Sequence, residues 1–107
     1  MVEYTINVDL VFASLANATR RDILNRVMMR RETVGALAET FKNISFAAVA
    51  KHIEVLERAH LVIKKREGKY QFISANPKAL QVAAATLEQY KATWDARFDA
   101  LDTLLQK

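Results

Sequence analysis

A chain of 107 residues, half of them apolar, is long enough for one domain with a modest core. It has no cysteine, which excludes disulfides and thiolate metal sites, and no apolar run of the ~20 residues needed to span a bilayer. Its net charge of +4 is confined to residues 42–69, where Lys42, Lys51, Arg58, Lys64, Lys65, Arg66 and Lys69 face only Glu54, Glu57 and Glu67; a basic segment between two neutral ones is the footprint of a phosphate-binding surface, or more plainly a solvated face of uneven charge.

Residues 1–6 read as a loose arm in which Ile6 can pack. Val8, Val11, Phe12 and Leu15 then fit one face of a helix. Asn17 can cap a second helix from Ala18, with Ile23, Leu24, Val27 and Met28 as its apolar stripe. Arg20 and Arg21 fall in its first turn, where the macrodipole disfavours cations, so a compensating anion is expected: a carboxylate in a salt bridge, ahead of a phosphate. Thr33 caps a third helix with Val34, Leu37, Ala38 and Phe41 at i, i+3, i+4 and i+7.

Lys42-Asn43-Ile44 is a tight connection to Ser45, which caps a fourth helix. Val49, Ile53 and Leu56 mark the buried face of that helix; Ala47, Ala48, Lys51, Glu54, Val55 and Arg58 lie opposite. Small residues and cations on the outer face suit close approach to a polyanion. Two short helices joined by such a turn form a helix-turn-helix, whose second helix enters a major groove. The alternative is a helical hairpin in a small bundle.

The next segment separates these two. Residues 61–66 and 70–74 are strand-like, rich in β-branched and aromatic side chains, and Gly68 between them can take the positive φ of a hairpin turn. A helix-turn-helix followed by a hairpin with a basic tip is a winged helix. After Asn76-Pro77 comes a helix of about 28 residues, with Leu80, Ala83, Ala84, Leu87, Tyr90, Trp94, Phe98, Leu101 and Leu105 as its stripe. At ~1.5 Å per residue it is longer than the rest of the domain can cover, so part of the stripe needs another partner. The expected fold is mainly α with a small β-hairpin, in the order α-α-α-α-β-β-α, as one domain over 1–107.

Three segments, Leu15-Ala16-Asn17-Ala18-Thr19-Arg20-Arg21-Asp22-Ile23-Leu24, Val49-Ala50-Lys51-His52-Ile53-Glu54-Val55-Leu56 and Ala59-His60-Leu61-Val62, make the chain resemble the ArsR/SmtB family of bacterial transcriptional repressors over nearly all of 8–107. The resemblance implies a homodimer that binds double-stranded operator DNA. By position, Ser45, Ala47, Ala48 and Lys51 would lie nearest the bases and Lys64, Lys65, Arg66, Lys69 and Tyr70 along the phosphates, with Arg58 as a further contact. His52 would support the recognition helix or reach a phosphate, and a packing role beside Val49 and Ile53 stays open. The dimer interface would come from the first and last helices through Val11, Leu80, Leu87, Tyr90, Trp94, Phe98 and Leu101.

Departures from the family pattern matter as well. Asn17-Ala18 stands where Asp-Pro is common, Ala50 where Ser is common, and His60 where Gly is common, which leaves the turn into the wing less free. Ala47 and Ala48 offer only methyl groups, so base discrimination would rest on thymine methyls and DNA shape more than on hydrogen bonds. The family's metal sites are missing: there is no thiolate, and the last helix has Glu88, Asp95, Asp99 and Asp102 without a histidine to join them. No metal, no cofactor and an unknown effector are therefore expected. No nucleophile–base pair suggests an enzyme, and without a signal peptide or membrane span a cytoplasmic location is expected. A winged-helix module that binds another protein is the competing function.

Overall fold

The computed structural model describes residues 5–106. Of the expected N-terminal arm, residues 1–4 lie outside the described residues; Ile6 is half-buried against the core. Five helices and three strands follow: α1 (Val8–Leu15), α2 (Ala18–Met29), β1 (Glu32–Thr33), α3 (Val34–Thr40), α4 (Phe46–Arg58), β2 (Val62–Glu67), β3 (Tyr70–Ala75) and α5 (Pro77–Leu105). The helix starts follow from capping chemistry. The side chains of Asn7, Asn17, Thr33 and Ser45 accept from Leu10, Arg20, Ala36 and Ala48 N–H, each at 3.1 Å. Asn76 caps α5, with Pro77 at its first position.

The sheet has one strand more than the hairpin expected. β1 pairs antiparallel with β3, Glu32 opposite Ile73 and Thr33 opposite Phe72, giving the order β1-β3-β2. Two polar residues have no period to read; the pairing exists because Glu32 is anchored. Arg26 donates from Nε and Nη2 to both Glu32 carboxylate oxygens at 3.0 Å, with the Glu32 side chain 9% exposed. This bidentate bond ties α2 to the strand.

The core is a single cluster in which Val11, Ile23, Leu37, Val49, Ile53, Leu56, Leu61 and Ile73 are almost fully buried. Two sequence expectations change here. Met28 is 48% exposed, because the buried stripe of α2 is the narrow set Ile23, Leu24 and Val27 and Met28 lies about 40° past its edge at Leu24. Val11, expected at a dimer interface, is 0% exposed within this one chain, so its side chain belongs to the chain's own core. On α1 the large apolar side chain left outside is Leu10.

The exit from α4 shows what His60 replaces. Leu61 N–H donates to Leu56 O at 3.0 Å and His60 N–H to Glu57 O at 2.9 Å, the paired bonds of a Schellman cap. Its C′ residue must be left-handed, and His60 takes φ +61°. A side chain with a Cβ costs about 1 kcal/mol there relative to glycine. His60→Gly should therefore raise unfolding stability by about 0.5–1 kcal/mol, and urea melts of the two proteins check it.

Only the start of α5 is part of this body. Ala79 and Ala83 are buried, their small side chains letting α5 approach α1, and Leu80 packs at the edge of the core. Ala84, expected on the buried stripe, faces outward. From Leu87 onward every described residue is exposed. The projection stretches the molecule to 68 Å, with a radius of gyration of 18.3 Å, against ~13 Å for a compact chain of this size.

Candidate nucleic-acid interface

α3 and α4 are joined through 41–45, and the hairpin β2–β3 leaves the core directly after α4, so helix and wing project together. The wing's register pairs Val62 with Ala75, Lys64 with Ile73 and Arg66 with Gln71 on one face, and Ile63 with Ser74, Lys65 with Phe72 and Glu67 with Tyr70 on the other. Gly68 (φ +62°) and Lys69 close it as a two-residue turn, glycine at the first central position as a type II′ turn requires. Lys65 therefore points away from Lys64 and Arg66, which share the α4 side of the strand.

The segment's seven cations are not equivalent. Arg58 donates to Glu54 one turn earlier on the exposed side of α4, which with help from Lys51 and Lys64 holds the Glu54 carboxyl below its ordinary value. Lys64 is 3.4 Å from Glu57, binding strand to helix. Lys42, Lys51, Lys65, Arg66 and Lys69 have no ion-pair partner among the described residues and remain for an outside anion. Lys69 stands 5.4 Å above the exposed Tyr70 ring. Arg58 is thirteen residues, ~20 Å, from Ser45 along the helix, so the two cannot share one contact.

Ser45 and Ala47 are exposed and Ala48 half-buried at the leading end of α4; Lys51 is exposed one turn on. Sequence reasoning passed over Phe46 at that end, 60% exposed. With Ala50, Lys64, Lys69, Tyr70 and Gln71 it lines a cleft of about 400 Å³ between helix and wing. The available signal was an apolar ring at i−3 from Val49, on the line of Val49, Ile53 and Leu56 but in the first turn of the helix, beyond the reach of the core.

Among the described residues Arg20 and Arg21 meet no carboxylate, contrary to expectation. Arg20 donates from Nε to Ser14 O at 2.6 Å and from Nη2 to Ala13 O at 3.3 Å, and Arg21 from Nη1 to Leu15 O at 2.8 Å. These are the last carbonyls of α1, the negative end of that helix, which supplies the missing anion. Arg20 also places Nη1 3.3 Å from His52 Nδ1, joining α1, α2 and the recognition helix.

A guanidinium can only donate, so this contact needs His52 Nδ1 unprotonated, with the ring proton on Nε2. Burial first, then the Arg20 charge, lower the His52 pKa below its ordinary 6.5. Above 6.5 both folded and unfolded chains hold the ring neutral; below it the unfolded chain takes up a proton the folded one resists. Stability is thus lost as pH falls through 6.5 toward the folded value. Between pH 7.5 and 5.5 the melting temperature of the wild type should fall more than that of His52→Gln.

Among the described residues no group of three His, Asp or Glu side chains is placed to hold a metal, and no helix is long and apolar enough to cross a membrane.

The comparisons with known proteins agree with this geometry. The uncharacterized HTH-type transcriptional regulator YuzN of Bacillus subtilis is 37% identical over 81 residues, covering 70% of this chain and 88% of that protein. The transcriptional repressor SdpR of the same organism is 34% identical over 71 residues, 66% and 78% of the two. An ArsR-like transcriptional regulator from Rhodococcus sp. RHA1 superposes with a TM-score of 0.78 at 32% identity, over 91% of each chain. The chain belongs to the ArsR/SmtB family. No family model matches it. As an ArsR/SmtB chain it is a winged helix-turn-helix transcriptional regulator, not an enzyme.

Proposed function

We propose that this ArsR/SmtB chain is a cytoplasmic homodimeric repressor, and that the dimer grips an inverted-repeat operator with two α4 helices and two wings. The observation that carries the reading is the set of five cations, on the loop before α4, on α4 and on the wing tip, that have no carboxylate partner among the described residues. Ser45, Ala47, Ala48 and Lys51 face the bases in this reading, and Lys65, Arg66, Lys69 and Tyr70 lie along the phosphates. His52 acts from behind the helix through Arg20 rather than on DNA. Arg58 and Lys64 spend part of their charge on Glu54 and Glu57 and contribute least.

Dimerisation is supported by the free end of α5, where Leu87, Tyr90, Trp94, Phe98 and Leu101 are each about half exposed or more. Leu80, packed at the edge of the core, would lie at the margin of such an interface. A two-fold axis there would set the α4 helices to enter successive major grooves ~34 Å apart. Selecting duplexes from a random pool and footprinting the bound ones tests the reading. Two protected half-sites about one turn apart are expected. A protein that retains no duplex at low salt would be the protein-binding winged helix instead.

A further inference from the structure

The recognition helix begins with an aromatic ring that the core does not use. Phe46 is the first residue of α4, in line with Ile53 two turns later, but the buried face ends at Val49 and the ring stands beyond it, 60% exposed. Helical side chains lean toward the N-terminus, so a ring at the first position points ahead of the helix, the way the helix would enter a groove. It forms an apolar wall of the cleft whose rim carries Lys64 and Lys69. Apolar surface rimmed by cations fits a ligand whose apolar groups are flanked by anions, as in a DNA major groove. There only thymine presents a methyl group, at C5.

Beside the exposed Lys51 one turn on, the neighbouring side chains leave little else to read with. Ala47, Ala48 and Ala50 have only methyl groups, and the Ser45 hydroxyl oxygen is engaged by Ala48 N–H at 3.1 Å. We propose that Phe46 is a specificity-determining residue that reads thymine C5-methyl groups in each operator half-site. The proposal rests on the DNA-binding reading above and adds the base and the chemical group recognised.

The test is a cycle of protein and DNA changes on a duplex selected by the wild-type chain. Thymines in the protected half-site are replaced one at a time by deoxyuridine, which removes only the methyl. Loss of one methyl contact should weaken wild-type binding roughly fourfold at one or two positions, and Phe46→Ala should be indifferent to those same replacements. Phe46→Gln serves as the second variant: a fresh selection with it should move the preference toward adenine, whose N6 and N7 an amide can pair. Because the ring is exposed, both variants should melt within a few degrees of the wild type, and both should keep its affinity for random DNA. Equal uridine penalties in wild type and Phe46→Ala, or no penalty at any thymine, would overturn the proposal while leaving DNA binding intact. A wild type that selects no duplex would remove the DNA-binding reading itself, and this assignment with it.

Discussion

Trp94→Ala should weaken the dimer about a hundredfold and lower operator affinity in parallel, although Trp94 lies far along α5 from the recognition helix. In the single chain the indole is 63% exposed, touching Phe98 edge-to-face at 4.6 Å between ring centres. Tyr90, Leu101 and Leu104 continue the exposed face, and among the described residues no other element covers it. Burying a large side chain contributes ~1.5–3 kcal/mol, and a two-fold interface loses each contact twice. Even the lower figure doubled, ~3 kcal/mol, is about a hundredfold in dissociation constant. Sedimentation and operator titration on the same samples make the comparison. A wild-type chain that sediments as a monomer at micromolar concentration yet binds its operator tightly would sink the dimer.

Much of the fold was legible because it rests on local chemistry. The caps Asn17, Thr33 and Ser45 each sit where a helix begins, the last helix starts after Asn76 as expected, and Val49, Ile53 and Leu56 face the core as their spacing requires. Gly68 turns the hairpin for the same local reason. What escaped the sequence depends on residues far apart in the chain. β1 exists through the pairing of Thr33 with Phe72 and the grip of Arg26 on Glu32. The partners of Arg20 and Arg21 are carbonyls, which no side-chain pattern advertises. Val11 sits on an apolar face that was rightly read as helical, but periodicity alone cannot say whether a face meets its own chain or another copy.

The charge pattern divides in the same way. That residues 42–69 are basic is a count; which cations are available is geometry. Glu54 and Glu57 are ordinary helical carboxylates in the sequence, yet they claim Arg58 and Lys64. On the other face of the wing, Arg31 reaches Glu67 and stacks over Phe72 at 3.9 Å, a tie from the end of α2 that holds the hairpin against the body. Arg31, outside the basic segment, thus holds the wing at Glu67 beside its turn, while Lys65, Arg66 and Lys69 keep no carboxylate partner among the described residues.

Replacing Lys64, Lys65 and Arg66 together by Ala should weaken binding to operator and random duplexes alike, with the loss coming mainly from Lys65 and Arg66. Those two have no carboxylate partner among the described residues, whereas Lys64 already faces Glu57 at 3.4 Å. Removing two available cations from each protomer takes four from a dimer. Each phosphate contact contributes ~0.9 to the slope of log affinity against log salt, so the slope should flatten by about 3 to 4. Lys51→Ala should behave differently. Lys51 is exposed on the outer face of α4, one turn behind Ala47 and Ala48, so its loss should reduce operator affinity more than random-DNA affinity and shrink the ratio between them. Competition titrations from 50 to 300 mM salt on both duplexes separate the two variants. If neither variant lost affinity, α4 and the wing would not be the surface that meets DNA; if both lost the operator preference equally, the wing would read sequence as well as charge.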